Sequence, residues 1–162
     1  MKDVVEPWLT IRNAVVADLP ALQQIYREAS LSNVADAPML LARPEFLIFT
    51  GEGVATGRTL IAVVERPDQD TAVGFASIAA DHGEGAELED LFVDPGWRRR
   101  GIARHLVRRI VTMAQDAGHP RLWVTGNPHA LDFYRAVGFV QTGQVPTALG
   151  TGLRLSLDTS TP

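Results

Sequence analysis

The chain has 162 residues, of which 46% are hydrophobic, and this length predicts one globular domain over residues 1–162 with a sizeable core. Fifteen lysines and arginines against nineteen acidic residues give a net charge of −4, so binding of nucleic acid by general electrostatics is not expected. The sequence contains no cysteine, which excludes disulfides, thiolate metal sites and a covalent cysteine intermediate.

Hydropathy gives no indication of a membrane protein. The longest uncharged run, Ala136–Leu153, is interrupted by Gln141, Gln144 and Pro146, and is too polar to span a bilayer. The N-terminal segment Met1–Pro7 lacks the apolar core of a secretory signal. We therefore predict no membrane association and a cytoplasmic location.

The first elements predicted along the chain are a strand and a helix. Alternation over Trp8–Arg12 predicts a short strand. Asp18 is then a favourable N-cap for a helix with Leu22 and Ile25 on its apolar face. Residues 32–56 mix prolines and glycines with apolar clusters, which predicts one or two short helices joined by loops.

Three consecutive antiparallel strands are predicted in the middle of the chain. Two β-rich runs, Thr59–Glu65 and Ala72–Ala79, flank a turn-forming cluster and predict a hairpin. A second turn, Asp81–Gly85, leads into a third strand, Ala86–Val93.

A helix and a further strand follow. From Gly101 to about Ala117 the apolar residues recur at the spacing of an amphipathic helix. Arg121–Thr125 is then a strand, and the order strand, helix, strand implies a parallel pair within the sheet. Asn127 precedes Pro128 as an N-cap for a short helix that ends near Val137.

The chain ends with two more predicted strands, Phe139–Gln144 and Leu153–Leu157. The segment Val145–Gly152 between them is predicted to be a loop, and the polar end, Asp158–Pro162, is predicted to fray. The order of elements predicts an α/β protein with a mixed sheet.

The most informative segment joins the end of a strand to the start of a helix, over Leu91–Ala103. Free amide N–H groups at a helix start, together with the helix dipole, form a site for a phosphate or pyrophosphate. Gly101 lets the backbone approach the anion closely, and the small Ala103 keeps that approach open. An arginine-rich solvated turn is the alternative interpretation. Since the segment matches neither G-x-x-x-x-G-K-[ST] nor G-x-G-x-x-G, mononucleotide and dinucleotide binding are disfavoured.

Two motifs in this order resemble those of the general N-acetyltransferase (GNAT) superfamily. Arg98, Gly101 and Ala103 match its [QR]-x-x-G-x-[GA] loop, which follows an L-x-V-x-P strand end at Leu91–Pro95. The later motif N-x-x-A-x-x-F-Y-x-x-x-G-F is matched at Asn127, Ala130, Phe133, Tyr134, Gly138 and Phe139. The resemblance covers roughly residues 8–157 and implies the GNAT fold: a mixed, mostly antiparallel sheet with helices on both faces and a splayed central parallel strand pair.

The resemblance implies acetyl-CoA as cosubstrate. Backbone groups of Leu91, Phe92 and Val93 would hydrogen-bond the pantetheine between the splayed strands, and one N–H would polarise the thioester carbonyl. The pyrophosphate would rest on the amides of six residues: Arg98, Arg99, Arg100, Gly101, Ile102 and Ala103. The three guanidinium groups would add charge to the phosphates, or would lie at the surface without that role. Asn127 would cap the last helix, contact the cofactor, or do both.

Tyr134 occupies the position of the family's general acid, a phenol that protonates the leaving thiolate of CoA. A phenol remains protonated at neutral pH and can serve this thiolate. The alternative is a tyrosine that only packs in the core.

The general base is a choice among carboxylates. Glu87 and Glu89 are two residues apart on one strand and therefore share a face. The family alignment favours Glu87, acting through a water, with Glu89 and Asp90 as further candidates. The alternatives are a solvated sheet face or a surface that attracts a cationic substrate. His82 and His129 could also serve as the base, but a lone histidine in a loop or at a helix start is more often only a surface residue.

These implications describe an N-acetyltransferase that moves an acetyl group directly from acetyl-CoA to a primary amine of a small molecule or peptide, in a ternary complex. The alternative is a weak or inactive acyl-CoA-binding module acting as a sensor or assembly partner. The arginines of Arg98–Arg109 follow the polar side of a helix without interleaved aromatic residues, so a nucleic-acid partner is not predicted. No metal-ligand spacing is present, and no metal is expected. Residues 31–58 and Val145–Gly152 are expected to shape the acceptor site. The acceptor itself, the acyl preference beyond acetyl and the formation of a homodimer stay open.

Overall fold

The computed structural model describes residues 2–79 and 85–160. The chain divides into two compact units, each of which is formed by two separate segments of the sequence. The first unit comprises Met1–Ser77 and Asp90–Leu106, and the second comprises Ile78–Glu89 and Val107–Pro162. None of the helices within the described ranges has both the length and the apolar character that a membrane crossing needs.

The first unit is built on antiparallel strands in the hydrogen-bonded order β1 (Lys2–Glu6), β2 (Leu9–Asn13), β3 (Thr59–Val64), β4 (Thr71–Ala79). All six residues of β3 are buried, as expected for a strand with neighbours on both sides. β1 is not predicted by the sequence, because its charged residues do not alternate with apolar ones. Pairing with β2, from Lys2 with Arg12 to Glu6 with Leu9, makes it a strand.

Three helices precede β3 in this unit: α1 (Leu19–Leu31), α2 (Ala37–Ala42) and α3 (Glu52–Ala55). The apolar face of α1 packs on the sheet, where Leu22 and Ile25 share one core with Ile61, Val63 and Phe75. The prediction of short helices between residues 32 and 56 is confirmed by α2 and α3.

Asp18 precedes α1 as predicted, but its side chain does not cap that helix. Its carboxylate accepts hydrogen bonds from the backbone N–H of Val15 at 2.8 Å and from the Arg12 guanidinium at 2.7 and 3.0 Å. The hydrogen bonds from Arg12 keep the pKa of Asp18 below its ordinary value. The carboxylate therefore stabilises the 3₁₀ turn before the helix, a role that depends on Arg12 of the neighbouring strand.

Helices cover both faces of β4 within the first unit. Phe75 faces the core formed with α1, and the adjacent Gly74 faces the start of α4 (Ile102–Asp116). A Cβ placed at Gly74 would lie 3.0 Å from the carbonyl oxygen of Phe92, 3.3 Å from Ile102 and 3.4 Å from Leu106. A side chain at position 74 would therefore crowd the neighbouring strand and the helix, which glycine avoids.

The second unit contains the parallel strand pair. Its strands follow the hydrogen-bonded order β5 (Ala86–Val93), β6 (Arg121–Gly126), β8 (Gly150–Asp158), β7 (Val140–Thr147), and residues 86–89 are the part of β5 that belongs to this unit. β5 and β6 are parallel, whereas β6–β8 and β7–β8 are antiparallel. The parallel pairing consists of Ala86 with Leu122 and Glu87 with Trp123, although both strands continue beyond it. The predicted mixed, mostly antiparallel fold is confirmed, and the short parallel pairing is that of a splayed pair.

The predicted loop Val145–Gly152 is wrong. Val145 pairs with Gly152, Pro146 with Thr151 and Thr147 with Gly150, so these residues extend the β7–β8 hairpin. Proline and glycine within the segment indicate a loop by composition, but an edge strand tolerates proline where no ladder hydrogen bond is needed. The expected contribution of this segment to an acceptor site would therefore come from a hairpin end.

Of the polar end Asp158–Pro162, which is predicted to fray, Thr161 and Pro162 lie outside the described residues, and Thr159 differs from the prediction. Thr159 is buried, its hydroxyl donates to the carbonyl of His119, and its own carbonyl accepts a hydrogen bond from Gln115 at 2.8 Å. These contacts hold Thr159 in place after β8. The polar composition of this end of the chain, taken alone, indicates fraying. The predicted turn Asp81–Gly85 lies outside the described residues except for Gly85.

Candidate functional site

The turn between β5 and α4 is anchored to the sheet at Asp94. The N–H of Asp94 donates to the carbonyl of Val73 in β4 at 2.8 Å. Its side chain accepts a hydrogen bond from the N–H of Gly96, and its carbonyl accepts one from the N–H of Trp97, both at 2.8 Å. The turn therefore leaves the sheet in a fixed direction.

After Trp97 the backbone makes amide groups available for an anion. Arg99 and Gly101 adopt left-handed conformations, with φ of +64° and +82°, which costs an arginine about 1 kcal/mol or more. Within residues 2–79 and 85–160, the N–H groups of Gly101, Ile102 and Ala103 donate to no other residue. Successive free amides at the start of a fifteen-residue helix form a concavity that suits phosphate oxygens.

The open space beside the turn also agrees with the interpretation of the turn as a phosphate site. A Cβ built at Gly101 meets no atom within 4 Å, so the outer side of the backbone is open. Arg98, Arg99, Arg100 and Gly101 are all exposed. The predicted pyrophosphate residues thus form a turn with open access, free amides and positive charge, and the turn fits a diphosphate.

The three arginines of the turn have different surroundings. Arg98 donates to the hydroxyl of Ser32 at the end of α1. The guanidinium carbon of Arg100 lies 4.8 Å from the ring centroid of Trp97. For Arg99, the described part of the chain contains no hydrogen-bond or ion-pair partner. Among the three arginines, Arg99 is therefore the one whose guanidinium group is most available to a ligand.

The predicted pantetheine residues, Leu91, Phe92 and Val93, are half-buried at the end of β5. The Phe92 ring packs in the core, 4.9 Å from the ring of Tyr26 and 5.5 Å from that of Phe75. The expectation for these residues concerns their backbone groups, so this packing is compatible with it.

Tyr134 lies on α5 (Leu131–Ala136) and is 8% exposed. Its ring contacts those of Phe133 and Phe139 at 5.4 and 5.5 Å between centroids. Burial raises the pKa of Tyr134 to about 12. Within the described ranges its hydroxyl forms no hydrogen bond. Tyr134 is therefore a buried, fully protonated phenol whose proton is not used by the fold.

The ring of Tyr134 is positioned by a glycine in β6. A Cβ at Gly126 would come within 2.7 Å of the Tyr134 ring and 3.4 Å of Leu155. We expect Gly126→Ala to lower the free energy of unfolding by about 1–3 kcal/mol, because overpacking displaces the ring. Urea denaturation measures this, with Gly143→Ala as the control, since a Cβ at Gly143 meets no atom within 4 Å. Equal stability of the two variants would contradict a tightly packed Tyr134.

Asn127 caps the final helical segment, as one of its two predicted roles requires. Its side-chain oxygen accepts a hydrogen bond from the N–H of His129 at 2.9 Å, and its carbonyl accepts one from the N–H of Ala130 at 2.9 Å. Pro128 occupies the first position of the 3₁₀ turn that continues into α5. This capping sets the entry of the segment that carries Tyr134.

Glu87 is held by an arginine that sequence analysis does not identify. Arg154 of β8 donates to both of its carboxylate oxygens, at 2.7 and 2.8 Å. The same guanidinium donates to the Thr125 hydroxyl at 3.1 Å and lies 5.0 Å from the ring centroid of Trp123. The side chains of Glu87 and Arg154 are 16% and 27% exposed. Glu87 is thus a fixed carboxylate with limited access to water.

The other candidate bases are placed less specifically. Glu89 is exposed and Asp90 is half-buried on β5. Burial, with a smaller contribution from the charge of Asp90, raises the pKa of Tyr26. His129 is exposed, and His82 lies outside the described residues.

The signal that could reveal Arg154 is its position as the only charged residue in the run Leu153–Leu157. A lone cation within an apolar strand usually has a partner when it is partly buried. The partner is unknown until the strand order and register are known.

Comparison with known proteins gives one family. The profile described as the acetyltransferase (GNAT) family matches residues 19–139. The chain is 36% identical over 118 residues to the streptothricin acetyltransferase of Streptomyces lavendulae, a match over 67% of this chain. The chain covers 61% of the length of that relative.

Two solved structures are similar in fold. A nourseothricin acetyltransferase has a TM-score of 0.57 and 26% identity, covering 63% of this chain and 65% of its own. The PaiA N-acetyltransferase of Thermoplasma acidophilum, solved in complex with coenzyme A, has a TM-score of 0.66 and 16% identity. That match covers 93% of this chain and 98% of the PaiA chain. The second likeness concerns the fold alone.

Proposed function

Because the chain belongs to the acetyltransferase (GNAT) family, we propose that it transfers an acetyl group from acetyl-CoA, the cosubstrate of this family, to a primary amine. The observation that carries this proposal is the turn at Arg98–Ala103, where two left-handed residues and free amides precede the helix. This is the geometry that a pyrophosphate needs.

The cofactor would be held mainly by backbone groups. The amides of Arg98–Ala103 would bind the pyrophosphate, and Arg99 would add charge to a phosphate. Backbone groups of Leu91, Phe92 and Val93 would hydrogen-bond the pantetheine. An N–H among them would stabilise the negative charge that develops on the thioester oxygen, which is worth about 3–4 kcal/mol for one such donor.

Tyr134 is proposed as the general acid. The acceptor nitrogen forms a bond to the acetyl carbon, the carbon–sulfur bond breaks, and the departing thiolate takes the phenolic proton. The burial and unbonded hydroxyl of Tyr134 support this role. With no cysteine in the chain, direct transfer from acetyl-CoA to the amine in a ternary complex is the proposed route.

Glu87 is proposed as the base that takes the amine proton through a water. Each of its oxygens accepts one hydrogen bond from Arg154 and retains a second lone pair for a water. The ion pair with Arg154 holds the carboxylate in one orientation, as a relay through one water requires. The same pair favours a second candidate function, a CoA-binding module without turnover, in which Glu87 only joins β5 to β8.

Glu87→Gln separates these roles. If Glu87 is the base, kcat/KM of the wild type should rise with pH through one ionisation. The variant should lose that limb and recover partly at high pH, where free amine needs no base. Glu89→Gln, at an exposed position of the same strand, is compared with it, and loss of the limb in Glu89→Gln alone would make Glu89 the base. A higher KM with unchanged kcat would instead indicate attraction of a cation, and unchanged kinetics would remove Glu87 from the mechanism.

We propose a small basic amine as acceptor, and streptothricin is the first compound to test because of the 36% identical relative. The net charge of −4 favours a cationic substrate over an anionic one. The experiment follows CoA thiol release and product mass with acetyl-CoA and a panel of amines: streptothricin, polyamines, amino acids and peptide N-termini. Binding of acetyl-CoA without turnover of any amine would favour the module without turnover.

A further inference from the structure

Three side chains of the first unit contact the ring of Trp97, and we call these three residues together with Trp97 the Trp97 cluster. The ring of Trp8 stacks on that of Trp97, with centroids 6.4 Å apart and planes inclined by 19°. The guanidinium carbons of Arg66 and Arg100 lie 5.4 and 4.8 Å from the Trp97 centroid. Together the four residues come from three connections: between β1 and β2, between β3 and β4, and between β5 and α4.

Two members of the cluster, Trp97 and Arg100, belong to the turn between β5 and α4. Arg100 stands between Arg99 and Gly101, the two residues of the turn with left-handed φ. At the other end of the turn, the N–H of Trp97 is bonded to the carbonyl of Asp94. The turn is therefore held at two points: the hydrogen bond from Trp97 to Asp94, and the contact of the Arg100 side chain with the Trp97 ring. The free amides begin at Gly101, directly after Arg100.

We propose that the Trp97 cluster is a positioning device that holds this turn in its anion-binding conformation, and that the side chain of Arg100 acts through Trp97 and does not itself bind a phosphate. The inference rests on the proposed binding of acetyl-CoA. Cations over a tryptophan ring contribute little individually, but a turn ordered before the ligand arrives does not lose conformational freedom on binding. The effect should be confined to ligands that carry the pyrophosphate.

The test compares dissociation constants for CoA and for pantetheine by calorimetry. Trp97→Leu should weaken CoA binding about tenfold and leave pantetheine binding unchanged. Trp97→Phe keeps an aromatic ring and should stay within about threefold of the wild type. Trp123→Leu is the matched control, because Trp123 also lies under two arginines, Arg121 and Arg154, but on β6. This control should bind CoA as the wild type does.

A double-mutant cycle isolates the role of Arg100. Arg100→Gln should weaken CoA binding in the wild type and have little further effect in Trp97→Leu, because both changes remove the same positioning contact. An equal loss in both backgrounds would identify Arg100 as a direct phosphate ligand and overturn the proposal. Unchanged CoA affinity in Trp97→Leu would overturn it too, as would equal losses for CoA and pantetheine.

Two further outcomes, a wild type that does not bind CoA and a Trp97→Leu variant that does not fold, are interpreted separately. If the wild type binds no CoA, the proposed function fails and not the cluster alone. If Trp97→Leu does not fold, the Arg66→Gln variant carries the test. Arg66 contacts the ring from another connection, so weaker binding of CoA with unchanged pantetheine affinity in Arg66→Gln supports the proposal. Unchanged CoA affinity in Arg66→Gln contradicts it.

Discussion

Tyr134→Phe should lower kcat by about 100- to 10,000-fold, the usual contribution of general acid catalysis. The phenylalanine ring should keep its contacts with Phe133 and Phe139, so the variant should fold and bind CoA within a few fold of the wild type. Because the hydroxyl forms no hydrogen bond with the described residues, its removal takes away only the proton. Steady-state kinetics and CoA calorimetry on the same preparation measure both quantities.

Tyr26→Phe is the control, since the chain has two tyrosines. The Tyr26 hydroxyl donates to the carbonyl of Phe46 at 2.9 Å, so its loss should lower stability by about 1 kcal/mol and leave kcat unchanged. A Tyr134→Phe enzyme with wild-type kcat would make Tyr134 a packing residue.

The pH dependence of kcat provides a second check on Tyr134. Its pKa is raised to about 12, so the phenol keeps its proton across the pH range in which enzymes are assayed. We therefore expect no falling limb of kcat below about pH 10 from this group, whereas an unperturbed phenol would begin to lose its proton there. A falling limb near neutral pH that disappears in Tyr134→Phe would contradict the assigned environment.

Gly101→Glu should abolish the stabilisation that acetyl-CoA gives the wild type. At about 100 times its Kd a ligand adds roughly 2.7 kcal/mol to the free energy of unfolding, which raises Tm by about 5–10 °C for a chain of this size. The new carboxylate would lie against the phosphates and repel them. Thermal denaturation with and without acetyl-CoA measures the effect, and acetyl-pantetheine should stabilise the wild type much less.

The strain of the substitution needs its own control. Gly118 has φ of +79° and no atom within 4 Å of a built Cβ, very similar to Gly101, but it follows the C-terminal end of α4. Gly118→Glu should lose a similar amount of intrinsic stability and retain the full stabilisation by acetyl-CoA. Loss of the ligand effect in both variants, or in neither, would remove the pyrophosphate from the turn at Arg98–Ala103.

Local chemistry explains which features are predictable from the sequence. The bounds of β5 agree at both ends with the predicted Ala86–Val93, and Asn127 caps its turn as predicted. The turn at Arg98–Ala103 belongs to the same class. Its pattern is local in the sequence, because a strand end, a glycine that can adopt left-handed φ and the first amides of a helix all lie within Leu91–Ala103.

Tertiary structure decides the features that depend on partners distant in sequence. Arg154 is 67 residues from Glu87, and the two meet because β6 places β5 and β8 on either side of it. No pattern near Glu87 indicates that its carboxylate is already paired. The Trp97 ring likewise meets Trp8 and Arg66 only once three connections of the first unit lie together.

The strands β1, β7 and β8 also depend on their partner strands. β1 and the extended ends of β7 and β8 exist because a neighbouring strand supplies hydrogen bonds to residues whose composition favours turns. The sequence by itself determined the family motifs, the phenol and the amide turn, since each depends on short-range geometry. The ionic partner of the proposed base and the support of the turn were decided by strand order and register, which place residues far apart in the chain within contact distance.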